Sequence, residues 1–275
     1  MRHDGAVDQP SRERALAASA AWVFVPAGAP RVETDEYLLV RHPDWTERPV
    51  QLAWTRPGRP IHEILDEVLE QARSMVDPSV PASAEVAWWV RLDAPDGLEE
   101  ALVAHGARPD ETVDVLARSL EDAGDDEPSL DPADVELRWS DDLAVFADAV
   151  HLAAEVFGGS ATDRAVLEAT FPGEAAKVRS GGGGAVVAYL DGRPVGSGGL
   201  SIAGPDARLW GGVVLPDARG RGVYRAVLAA RLEYARWAGA DLAIVKGRVQ
   251  TSGPILRRAG FAAFGQERSW LLPIG

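Results

Sequence analysis

Eighteen residues constrain this chain more than any others: Gly211-Gly-Val-Val-Leu-Pro-Asp-Ala-Arg-Gly-Arg-Gly-Val-Tyr-Arg-Ala-Val-Leu228. An apolar run passes through Pro216 into a turn with two glycines and directly into a helical pattern. A strand entering a helix this way leaves consecutive backbone N–H groups unpaired at the helix N-terminus, where the macrodipole favours negative charge. Gly220 and Gly222 permit the close backbone approach that an anion requires, and Arg219 and Arg221 add positive charge at the same place. Pro216 brings no N–H to a ladder, so the strand is expected to splay from its neighbour there. The plain alternative is a tight connection with two solvent-facing arginines. A dinucleotide fingerprint would need a third glycine where Arg225 stands, and neither Lys177 nor Lys246 sits in the Gly-Lys-Ser/Thr pattern of a phosphate loop.

Composition removes other chemistries. The 275 residues include no cysteine, so disulfides, thiol nucleophiles and cysteine-ligated zinc are excluded. Five histidines form no pair at i, i+4; His62-Glu63 opens like a zincin helix, but Asp66 stands where the second ligand belongs, and no metal is expected. The net charge of −14 is unevenly placed. Residues 1–134 carry 12 arginines against 28 acids, whereas residues 135–275 carry 16 basic and 14 acidic side chains. Without a clustered basic face, nucleic acid is not an expected partner. No apolar segment reaches the roughly 18 residues of a membrane span. The start lacks a leader's basic region and cleavage site, so a cytoplasmic location without membrane attachment is expected.

The acids and prolines of 121–134 suit neither helix nor strand, and we read them as a linker between a domain at 1–120 and a second at 135–275. Before it, periodicity predicts strands at 36–40, 50–54, 85–92 and 112–120, and helices at 61–74 and 97–105. After it come a strand at 135–139, a helix at 141–157 and a short helix at 162–169. Strands at 184–190, 194–202 and 208–215 precede a long helix at 221–238, a strand at 242–248, a helix at 253–259 and a strand at 261–273. This is a mixed α/β (α+β) order, a central sheet flanked by helices. Placing Gly106 over Gly260 also places Leu102 over Leu256, which suggests a duplicated element or two halves sharing turn chemistry.

The residues resemble the GNAT superfamily of N-acyltransferases. Val214-Leu-Pro-Asp-Ala-Arg219-Gly-Arg-Gly222 fits its signature Val-x-Pro-x-x-Arg-Gly-x-Gly, a long helix follows, and Gly260-Phe261 before the last strand is a second mark. The order of elements over about the last 140 residues fits as well. The resemblance implies an acyl donor, acetyl-CoA, with Val214 and Leu215 at its pantetheine arm and Arg219, Gly220, Arg221, Gly222, Val223 and Tyr224 at its pyrophosphate. It implies an acceptor pocket from the first two helices and the loop Phe157–Asp163, with Trp210 and Phe171 as walls. It further suggests a tandem acyltransferase whose degenerate first half is silent: Arg56-Pro-Gly-Arg-Pro-Ile61 falls where a second signature would lie, with two prolines in place of donors.

The chain departs from the family where catalysis is concerned. Tyr224 replaces a small residue, Leu256 stands where many members carry a general-acid tyrosine, and Arg208-Leu-Trp210 lacks the glutamate some members use. Direct attack by a neutral amine still suffices chemically. Tyr224 is then a candidate acid and Glu155 a candidate base, with Asp163, Asp206 and His151 as further proton acceptors; the plainer reading of each carboxylate is an ordinary surface side chain, and of His151 a half-buried structural one. The expected function is acetyl transfer to a small-molecule amine, cationic if the acidic half attracts it, in a chain that admits a homodimer. The competing class is a non-catalytic CoA-binding or sensing module.

Overall fold

The computed structural model describes residues 9–43, 46–121, 135–157 and 162–275. In chain order the elements are α1 (Arg12–Ala21), β1 (Arg31–Glu33), β2 (Tyr37–Arg41), β3 (Val50–Thr55), α2 (Ile61–Arg73), β4 (Glu85–Val90), α3 (Leu98–Ala104) and β5 (Arg108–Ser119). Then follow β6 (Glu136–Trp139), α4 (Leu143–Phe157), α5 (Arg164–Arg179), β7 (Gly183–Leu190), β8 (Arg193–Ala203), β9 (Asp206–Val214), α6 (Val223–Trp237), β10 (Leu242–Arg248), α7 (Ser252–Arg258) and β11 (Ala262–Pro273). The order is the mixed α/β one read from the sequence. All of the linker except Glu121 lies outside the described residues, as do residues 158–161 of the acceptor loop.

The chain divides into two compact units that do not follow its order. One contains Leu116–Lys246 and Ala259–Ala262; the other contains Arg12–Val115, Gly247–Arg258 and Ala263–Gly275. The second unit therefore takes α7 and nearly all of β11, which the sequence places in the C-terminal half. Its strands run β1-β2-β3-β4-β11-β5, with β11 antiparallel to β4 from Arg268 opposite Val90 to Pro273 opposite Glu85. Ile64, Leu65, Val68 and Ala72, at one-face spacing on α2, are buried with Leu98 and Leu102 of α3 against Leu39, Leu52, Val86 and Trp88. Leu272 and Ile274 complete this core, so the last residues of the chain are part of what makes the unit stable.

In the other unit the strand order is β10-β9-β8-β7-β6. Period-two alternation sorts its sheet into two faces. Val187 and Tyr189 of β7 pack with Val145, Ala149 and Leu152 of α4, while Val186, Ala188 and Leu190 pack with Val223 and Val227 of α6. α4 and α6 thus cover opposite faces. The proposed repeat recurs in geometry: α3 and α7 each have 7 residues, each is followed by a left-handed glycine, Gly106 at φ 84° and Gly260 at φ 83°, and each leads into a strand of 12 residues.

Two elements differ from expectation. α5 does not stop near Ala169 but continues through Pro172 to Arg179. Proline forfeits one intrahelical bond, yet Leu167, Ala175 and Val178 stay on a single buried face, and that shared burial carries the helix onward. α1, where the periodicity predicts no element, is held by Ala15 and Ser19 in the interior, with the Ser19 hydroxyl donating to buried Glu267 at 2.8 Å.

Candidate functional site

The eighteen-residue segment builds one end of the unit that contains it. β9 pairs in parallel with β10 only from Asp206 opposite Leu242 to Leu209 opposite Val245. Beyond Leu209 the β10-facing edge of β9 carries no registered partner among the described residues. The separation begins at a bulge, not at Pro216 as the sequence suggested: the register with β8 shifts between Ser197 and Gly199, opposite Gly211 and Gly212, and Gly211 has φ 62°. An extra residue in one strand bends it and increases its twist, which turns this edge away. The Leu215 N–H still donates to Val195 O at 2.9 Å, so Pro216 ends a strand that has already diverged.

The turn after Pro216 holds a row of open donors. Gly220 and Gly222 have φ 76° and 84°, conformations that a side chain would strain. Gly222 caps α6 without any side-chain acceptor. Among the described residues no backbone carbonyl accepts from the amides of Gly220, Arg221, Gly222, Val223, Tyr224 and Arg225; the first to reach back is Ala226, to Gly222 O at 3.1 Å. Arg219, Arg221 and Arg225 are exposed around this row, and a Cβ at Gly220 would meet nothing within 4 Å. These donors, the helix dipole and the added cations are what a pyrophosphate needs, so the residues fit the pyrophosphate of the acyl donor that the resemblance implies.

Tyr224, the bulky residue in a place of small ones, turns its ring beneath β9. A Cβ on Gly212 would lie 3.1 Å from the ring and 3.5 Å from the hydroxyl, so it is the missing side chain at 212 that admits the ring. Arg231, two turns further along α6, is 2% exposed. Its Nη1 donates to Gly199 O at 3.4 Å and Trp210 O at 3.5 Å, its Nε to Val227 O at 3.3 Å, and its Nη2 has no hydrogen-bond partner among the described residues. No reasoning from the sequence singled Arg231 out, although a charge among the apolar positions 223, 227, 228 and 232 of one helix face was a legible signal.

The other candidates are dispersed. Trp210 lies on the α4 face, 44% exposed, with its indole spread over Gly199, whose Cβ would sit 2.2 Å from the ring. Phe157 ends α4 and is 43% exposed. Asp163 is occupied as the N-cap of α5, accepting from the Ala165 N–H at 3.1 Å. Phe171 packs against Phe146. Glu155 is exposed on α4. Asp206 begins β9, five residues from Gly211, about 16 Å along a strand, so it is not brought to the splay. His151 is exposed at the rim of a cavity of about 460 Å³ between α4 and α5, lined by Asp142, Ala147, Thr162, Arg164 and Leu167, which includes neither Trp210 nor Phe157. Leu256 is fully buried and offers no proton.

The corresponding turn of the other unit is closed by its own carboxylates. Gly58 N–H and Arg59 Nε both donate to Glu36 at 2.8 Å, and Arg59 also pairs with Glu67, which accepts from the Tyr37 hydroxyl at 2.8 Å. The Gly58 amide and the Arg59 guanidinium hold the Glu36 carboxyl below its ordinary range. Among the described residues no His, Asp and Glu group could hold a metal ion, and no helix is long and apolar enough to cross a membrane.

Residues 148–255 match the model of the Acetyltransferase (GNAT) family. A GCN5-related N-acetyltransferase from Kribbella flavida superposes with a TM-score of 0.64 at 19% identity over 96% of this chain and 93% of its own. One from Sphaerobacter thermophilus gives 0.63 at 18% over 96% and 86%. A tandem GNAT protein from the clavulanic acid biosynthesis pathway gives 0.59 at 16% over 92% and 85%. These likenesses establish the fold. No curated protein is significantly similar in sequence.

Proposed function

We propose that the protein, whose residues 148–255 match the model of the GNAT acetyltransferase family and whose fold is that of tandem proteins of this kind, moves an acetyl group from acetyl-CoA to an amine of a small molecule. The observation that carries the reading is the row of six unpaired amides at the head of α6, next to a strand edge that has parted from its neighbour. Gly220 to Tyr224, with Arg219 and Arg221, would hold the pyrophosphate; Val214 and Leu215 would face the pantetheine arm. The donor supplies an activated acyl carbon. The chain's part is to hold it, to polarise its carbonyl with free N–H groups of β9, and to provide a proton.

The Tyr224 hydroxyl, beneath Gly212 on the segment of β9 that has parted from β10, is our candidate acid. Trp210, with its exposed indole on the α4 face, and Phe157 are our candidates for the acceptor's apolar walls. Asp163 is already committed as a helix cap, and Glu155 stays a candidate base that would act through water. A cationic amine suits a chain whose residues 1–134 are so acidic. The Glu36 carboxylate sits where an external anion would be bound at the head of α2, which supports a single donor site per chain.

Release of CoA thiol, followed over a panel of primary amines, tests this. Turnover with matching N-acetylated product is expected on at least one acceptor class. Tight acetyl-CoA binding without turnover on any amine would replace the enzyme by a CoA-sensing module.

A further inference from the structure

Arg231 presents a problem of charge. Its guanidinium is buried between α6 and the sheet, and its hydrogen bonds go to neutral carbonyls of Gly199, Trp210 and Val227. A buried cation without an anionic partner is costly, and neutral acceptors compensate it only in part. Two glycines make room for it: a Cβ on Gly198 would lie 2.9 Å from Cζ, and one on Gly212 would lie 3.6 Å from Nη2. Among the described residues the titratable group facing it is Tyr224. Burial pushes Arg231 below its ordinary range, and the electrostatic influence of the nearby Tyr224 hydroxyl offsets this in part. The phenol and the guanidinium therefore share the space vacated by a side chain at 212, on the strand segment that has left β10.

We propose that Arg231 is a positioning residue for the Tyr224 phenol, holding the ring under Gly212 and stabilising the negative charge that develops on its oxygen when the proton is given up. The proposal rests on the acyl-transfer reading. In that reaction the amine nitrogen bonds to the acyl carbon while the carbon–sulfur bond breaks with its electron pair leaving on sulfur. Tyr224 gives its proton to the departing sulfur. The phenolate, beside a fixed cation, then recovers a proton released from the acylated nitrogen through solvent. One N–H proton has become one S–H, and Tyr224 is restored. A cation serves this cycle better than a neutral donor because it stabilises the charged state of the phenol selectively. Its low exposure means that solvent screens it little.

The test is a kinetic double-mutant cycle on the full chain with the best amine and acetyl-CoA: Tyr224→Phe, Arg231→Met, and both together, with Arg231→Lys as the conservative variant. We expect Tyr224→Phe and Arg231→Met each to lower kcat roughly 100-fold, as loss of a general acid does. KM for acetyl-CoA should stay within about threefold, the signature of an interaction made in the transition state. In the Tyr224→Phe background, Arg231→Met should cost less than about twofold more, and Arg231→Lys should restore part of kcat only when Tyr224 is present. A kcat unchanged in Arg231→Met, or the same loss with and without Tyr224, overturns the proposal by making Arg231 a packing residue only. If Arg231→Met does not fold, as judged by circular dichroism, Arg231→Lys decides by the same criterion of dependence on Tyr224. Absence of turnover in the unmutated chain would instead be a failure of the acyl-transfer reading, and it is seen before any variant is made.

Discussion

Substituting Gly220 by Ala separates backbone strain from ligand binding because the structure contains its own control. Gly220 and Gly239 lie just beyond the two ends of α6, at φ 76° and 81°, and a Cβ at either would meet nothing within 4 Å. Alanine in the left-handed region costs about 1–2 kcal/mol. Both variants should therefore lose about 1 kcal/mol of stability, a fall of roughly 2–4 °C in Tm. Their binding should diverge. Gly239 donates to Arg236 O at 2.9 Å at the end of the helix away from the signature, whereas Gly220 orients the first of the open amides. Relaxing φ at 220 misaligns one or two donors, each worth about 1.5–3 kcal/mol toward a charged acceptor. Titration calorimetry should then find acetyl-CoA bound at least roughly tenfold more weakly by Gly220→Ala, since about 1.4 kcal/mol is a factor of ten. Gly239→Ala should bind as the unmutated chain does. Equal affinities in the two variants, with equal losses of Tm, would refute the assignment of these amides to the ligand.

Other expectations follow from the same geometry. Arg219→Ala and Arg221→Ala remove exposed cations, so each should weaken acetyl-CoA binding by about 0.5–1 kcal/mol at low salt, and the difference should shrink at high salt in a salt-dependent titration. Gly199→Ala puts a Cβ 2.2 Å from the Trp210 indole and must displace it; if Trp210 walls the acceptor pocket, steady-state kinetics should give a raised KM for the amine and an unchanged affinity for acetyl-CoA. Burial holds the His42 imidazole below its ordinary 6.5, so the unfolded chain takes up the proton first and stability should fall as pH drops through about 6.5 toward 5. In denaturant titrations at several pH values, His42→Gln should flatten that dependence.

The signature, its helix and its glycines were legible because they follow local rules: which residues tolerate positive φ, which lack a donor, which repeat every 3.6 positions. What was hidden depended on partners distant in sequence. Pro216 alone suggests a splay at its own position, while the cause is a bulge at Gly211, and a bulge is defined only against the neighbouring strand. The Tyr224 ring had no predictable direction until Gly212 was brought across from β9. α5 outlasts Pro172 because tertiary burial outweighs one lost hydrogen bond. The two halves read from charge and linker differ from the compact units because β11 pairs with β4, a strand about 180 residues earlier, and no local pattern encodes that pairing.

The central claim is that the amides at the head of α6 form the one anion cradle that receives acetyl-CoA. Backbone amide NMR of the uniformly labelled chain during titration with acetyl-CoA tests it most directly. The account predicts saturating shifts centred on Gly220, Arg221, Gly222, Val223 and Tyr224 at one equivalent, with Gly58 and Arg59 unmoved. Shifts centred on Gly58 and Arg59, or none at Gly220 to Tyr224 at saturation, would contradict it.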